Sequence, residues 1–142
     1  MTGSRIFWPV IAQVALTLAV AVRMYLVRAG EMRARGIRPQ AIATAREAAQ
    51  HLENTAASDN FRNLFEVPVL FFALCPVLYV TGTATTLQYG LAWAFVALRC
   101  AHSVIHLSYN RVMHRFVAFV LGLFCVAAMW ALFALRMVQA GV

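Results

Sequence analysis

Residues 59–80 read DNFRNLFEVPVLFFALCPVLYV, a polar opening that runs into an apolar stretch. The stretch is long enough to cross a bilayer, which takes roughly 20 mostly apolar residues as a helix. Three further stretches have the same character, so that the four are Ile6–Val27, Phe61–Val80, Leu87–Leu107 and Val112–Val138. The chain has 142 residues, 63% of them hydrophobic and 12% charged. A soluble domain of this size has too little interior for that much apolar surface. These observations predict an all-α, integral membrane, four-helix protein in one domain over 1–142. The expected spans are about 6–29, 60–81, 86–109 and 112–138, with a polar loop at 30–58.

Within that frame Glu66 is the unexpected residue. A charge near the middle of a bilayer costs at least about 2.5–3.5 kcal/mol on insertion scales, so such residues usually pair and mark function. Glu66 lies roughly 7 Å below Phe61, and Arg99 roughly 15 Å from Tyr109, at 1.5 Å per helical residue. Their side chains are expected to meet. A plain bundle-locking ion pair is the simplest explanation, although buried pairs are weak evidence for stability.

The formal charge of +7 would point to nucleic acid in a soluble protein, and here it does not. The twelve Lys and Arg positions are all arginine, and their placement follows topology. Arg28, Arg33, Arg35, Arg38 and Arg46 follow the first span, and Arg111 and Arg115 lie between the third and fourth. Arg5 and Arg136 are at the other ends. Positive charge concentrates on the cytoplasmic side. Both termini and the TGTATT turn are therefore expected outside, with the 30–58 loop inside, in an up-down-up-down bundle. The expected location is a bacterial inner membrane.

A cleavable signal peptide is the alternative for Ile6–Val22, but the run is long and arginines follow it. Cys75, Cys100 and Cys125 fall within spans and read as small buried hydrophobes. In the loop, Pro39 is expected to start a short amphipathic helix, with Ile42, Ala45, Ala49 and Leu52 near one face, and a disordered loop is the alternative. Pro68 and Pro76 are expected to kink the second span without ending it.

The polar residues collect at the cytoplasmic ends of the spans. Asn60, Arg62, Asn63 and Glu66 open the second, and Asn63 and Glu66 share a face. Arg99, His102 and His106 form one stripe on the third. Arg111, His114 and Arg115 open the fourth. A metal reading, with His102, His106 and Glu66 as ligands, is opposed by the arginines nearby, so no metal is expected. Guanidinium forks suit an anionic ligand.

Three segments carry a family resemblance: GEMRAR (Gly30–Arg35), FRNLFEVP (Phe61–Pro68) and LRCAHSVIHL (Leu98–Leu107). Together they resemble the MAPEG family, the membrane-associated proteins in eicosanoid and glutathione metabolism, and look most like its prostaglandin E synthase branch. The resemblance implies a homotrimer that binds glutathione between subunits near the cytoplasmic face. It implies that Arg33, Arg62 and Asn63 hold the tripeptide, that Glu66 meets its amino group or positions an arginine, and that Arg99 and His102 belong to the same ligand site. Arg115 stands at the position of the thiol-activating arginine, and His106 is the competing candidate as a base. A cation beside sulfur favours the thiolate.

Four positions depart from the family pattern. His106 replaces a tyrosine, Asp59 stands where many members have an arginine, and Phe116 and Phe119 stand where the prostaglandin branch has a serine and a tyrosine. The expected function is a glutathione-dependent transferase or peroxidase acting on lipophilic electrophiles that enter from the lipid. A non-catalytic binding or scaffold protein of the same fold is the alternative.

Overall fold

A computed structural model describes residues 3–141, without the side chain of Ala45. Helix α1 spans Phe7–Arg35, and a 3-10 turn at Gly3–Ile6 precedes it. Short α2 (Ala45–His51) and α3 (Ala56–Asn63) lead to α4 (Val67–Val80), α5 (Thr86–Leu107) and α6 (Val112–Gln139). Four helical stretches are long and apolar enough to cross a membrane: Gly3–Arg35, Ala56–Val80, Thr86–Leu107 and Val112–Gln139.

The first stretch runs six residues beyond the expected end. At 29 residues α1 is about 44 Å long, against a hydrocarbon core of about 30 Å. Its last turns therefore project past the apolar layer and carry Glu31, Arg33 and Arg35. Gly36 ends it at φ 64°, in the left-handed region that a residue without Cβ enters freely.

The second stretch is broken. Leu64, Phe65 and Glu66 separate α3 from α4, and Glu66 has φ −85° and ψ −91°. Pro68 accounts for the position of the break, because it has no N–H and its ring would clash with the carbonyl of Leu64 in a continuous helix. At the second position of α4 the missing N–H costs nothing, since the first turn has no intrahelical acceptor. Pro76 sits inside α4 and the helix continues through it. The expectation that the helix does not end thus holds at Pro76 and fails at Pro68.

Thr85 starts α5 with a reciprocal cap. Its hydroxyl accepts from the N–H of Gln88 at 3.2 Å, and its own N–H donates to Gln88 Oε1 at 3.0 Å. The core between α4, α5 and α6 is built on Phe71, Leu74, Leu78, Phe95 and Met129, all 0% exposed. The rings of Phe71 and Phe95 are 4.8 Å apart. Trp130 Nε1 donates to the Leu70 carbonyl at 3.2 Å, which ties α6 to α4.

The connection from Gly36 to Thr55 folds back on α1. Arg35 donates to the His51 carbonyl at 2.9 Å, and Glu31 accepts from the N–H of Glu53 at 2.6 Å. Pro39 starts a 3-10 turn, and α2 begins later, at a cap formed by Thr44 and Glu47. Ala48 of α2 and Leu52 just after it are buried and Ala49 is exposed, so Leu52 lies on the covered side as expected and Ala49 does not. Ala45, expected on that face, has its side chain outside the described residues.

A polar cavity at the loop end of the bundle

Helix α5 delivers its polar stripe inward. Arg99, His102 and His106 are spaced by three and four residues and are 1%, 3% and 3% exposed. Local helical geometry puts them on one face, and packing against α6 covers that face. The Arg99 guanidinium lies over the Phe119 ring, 5.0 Å from its centroid. All three of its nitrogens are sealed from solvent without a hydrogen-bond partner.

Glu66 does not close on it. The field of its carboxylate reaches Arg99, but among the described residues the ion pairs are Arg35–Glu31 and Arg35–Glu53. The break before α4 explains this, since it leaves Glu66 exposed. The direct Glu66–Arg99 pair expected from the spacing is therefore not formed.

His102 is bound to α6. Its Nδ1 donates to the Arg115 carbonyl at 3.0 Å, and because a carbonyl only accepts, the proton sits on Nδ1. Nε2 is then an acceptor, buried and unpartnered. The His102 and His106 rings stand edge to face at 5.7 Å.

His106 lines a cavity of about 590 Å³ with Glu53, Asn54, Thr55, Ala56, Asp59, Asn110 and Arg115. Arg115 Nη1 donates to Asn110 Oδ1 at 2.8 Å, and Asn110 holds φ 47° in the turn that precedes α6. Asp59 and Thr55 also line a neighbouring cavity of about 200 Å³ that contains Arg28 and Arg62. Arg28 in turn borders a third cavity of about 450 Å³, with Arg33. The three form an adjoining series along the loop end.

The sequence-derived site residues are thus partly assembled. Arg115 and His106 share one cavity, with His102 behind them. Arg62 and Arg33 are exposed and open onto the adjoining cavities. Asn63 is half-buried and Glu66 exposed, and neither lines the cavity of Arg115. Two of the departures from the family pattern, Asp59 and His106, face the same space.

Some participants have partners that the sequence does not indicate. Asn60 is 0% exposed, and its Oδ1 accepts from Ser103 Oγ at 3.2 Å, a bond across 43 residues. The sequence favours Asn63, which shares a face with Glu66, and gives no local signal for the contact that Asn60 makes. Arg28 donates to Ser58 Oγ at 3.2 Å and joins α1 to α3. The sequence signal for Ser103 was its place beside His102 on the inward face.

Comparison with known proteins agrees with this architecture. No curated protein and no solved structure gives a significant match to the chain. The model of the MAPEG family matches residues 6–135, nearly the whole chain. With four membrane-competent helices and a polar site at one end of them, the protein belongs to the MAPEG family.

Proposed function

We propose that the protein is a glutathione-dependent transferase or peroxidase that acts on lipophilic electrophiles within the membrane. Its family includes such enzymes, and also members without catalysis. The observation that carries the reading is the cavity shared by Arg115 and His106, which adjoins arginine-bearing cavities on one side. Arg28, Arg33 and Arg62 supply guanidinium groups for a ligand with two carboxylates. The unpartnered nitrogens of Arg99, His102 and His106 are what a site awaiting a polar ligand would present.

Glutathione would supply a nucleophilic thiol. Arg115 is placed to stabilise negative charge on sulfur, and Asn110 holds its guanidinium by one nitrogen. Asn63 and Glu66 would reach the ligand from a neighbouring copy, in a homotrimer with the loop end in the cytoplasm. The location proposed is a bacterial inner membrane. The electrophile would enter from lipid along the apolar helix faces.

The test is conjugation or hydroperoxide reduction by the purified protein in detergent. Turnover should be present in the wild type and fall by two or more orders of magnitude in Arg115→Ala, as is typical when one charge-stabilising donor is lost, about 10²–10³. Binding of glutathione without turnover would favour the non-catalytic reading.

A further inference from the structure

The charge around His106 poses a problem for any anion that enters. The cavity wall bears two carboxylates, Glu53 and Asp59, against one guanidinium, Arg115. Glu53 is paired with Arg35 at 3.4 Å, so the Asp59 carboxylate is the charge on this wall that repels an arriving thiolate. A neutral thiol meets no such barrier. It can ionise in the cavity at little cost if its proton remains there.

His106 is placed to keep that proton. The residue is 3% exposed, and its Nδ1 is sealed and unpartnered, which leaves Nε2 as the nitrogen on the cavity side. The groups that face it come from every neighbouring element. Asp59 comes from α3, Glu53 from the preceding connection, Arg115 from α6 and His102 from α5 itself. The charged groups whose fields reach the ring are Arg115, which disfavours an imidazolium there, and Asp59, which favours one. His102 does not line the cavity, and its Nδ1 is committed to the Arg115 carbonyl.

We infer that His106 is the proton acceptor for the bound thiol and that Asp59 is its positioning residue. The inference rests on the thiol-binding reading above. The S–H bond breaks, the proton moves to His106 Nε2, and the electron pair stays on sulfur beside Arg115. The total charge in the cavity is unchanged, because the proton only changes its place within it. Asp59 then faces an imidazolium, which a carboxylate stabilises by direct attraction.

This mechanism differs measurably from activation by Arg115 alone, in which each thiolate formed sends a proton to solvent. Purified full-length protein in detergent is titrated with glutathione near neutral pH, in weak buffer. Thiolate is read by its ultraviolet difference signal, proton release by an indicator dye, and binding by calorimetry. The wild type should form thiolate with far less than one proton released per thiolate. His106→Gln should either lose the signal or release about one proton for each thiolate that remains. Asp59 is exposed, so Asp59→Asn should fold normally. It should bind glutathione with reduced thiolate at neutral pH and with the midpoint of the signal moved toward higher pH. Release of a full proton per thiolate by the wild type overturns the inference and leaves the thiol reading intact. An unchanged pH profile in Asp59→Asn removes its positioning role. No heat and no signal with glutathione overturns the thiol reading, and the inference with it.

Discussion

Arg99 is 1% exposed, and its guanidinium rests on the Phe119 ring with no acceptor on any nitrogen. A cation–π contact returns roughly 0.5–2 kcal/mol, less than the several kcal/mol that burying an ion costs. The residue is therefore a liability to the fold of the protomer, and replacing such a buried charge with a well-packed apolar residue is often neutral or stabilising by about 1–4 kcal/mol. Arg99→Met should accordingly hold or raise the thermal unfolding midpoint in detergent while glutathione binding weakens. Glu66→Gln should leave the midpoint within a degree or two, because no ion pair is lost. A large fall in either variant would show that the fold depends on the pair after all. Glu66 itself is tolerated for a local reason. It stands just before α4, where free N–H groups and the helix dipole favour negative charge.

The short α2 depends on its ends, since its seven residues make too few intrahelical bonds to nucleate a helix unaided. Thr44 Oγ1 accepts from the Glu47 N–H at 3.2 Å, and Glu47 Oε2 accepts from the Thr44 N–H at 2.9 Å. The Thr44 backbone N–H, and then its hydroxyl, hold the Glu47 carboxyl below the usual carboxylate range. A depressed folded-state value means that the cap's contribution is present above the unfolded value. It is lost as pH falls through the folded one. Amides of residues 47–51 should therefore exchange faster on acidification below the ordinary carboxylate range, after correction for intrinsic rates. Thr44→Ala should show the fast exchange already at neutral pH, and Glu47→Gln should remove most of the pH dependence. Identical profiles in the wild type and Glu47→Gln would place the titration elsewhere.

Across the whole molecule the apolar surface is turned outward. Trp8, Ile11, Leu18, Val22 and Leu26 on α1 are each more than half exposed, as are Val112, Met113 and Phe124 on α6. In a bilayer this surface costs nothing, and lipid or a second copy can cover it. The exposed Arg62 and Glu66 are another matter, because charged groups on the outer face of a span need a polar neighbour. The proposed homotrimer would supply that neighbour by covering them. Native mass spectrometry in mild detergent should show three chains, and Glu66→Leu combined with Arg62→Leu should shift the population toward monomer. A monomeric wild type that still turns over substrate would remove the need for a shared site.

Four membrane-competent helices were legible in the sequence because apolar length is a local property, read without knowing what packs on what. The same holds for the stripe of Arg99, His102 and His106, since 100° per residue decides which side chains share a face. The direction in which each face points required the packed chain. Spacing brought Glu66 within reach of Arg99, yet the break at Pro68 leaves its carboxylate exposed, and an ion pair needs contact as well as proximity in depth. The sequence favours Asn63, but it is Asn60 that bonds Ser103, 43 residues away. The cavity that unites Asp59, His106 and Arg115 comes from three helices and a connection held down by Glu31 and Arg35. Periodicity along one helix carries no information about such a meeting, because it is made by contacts between remote segments.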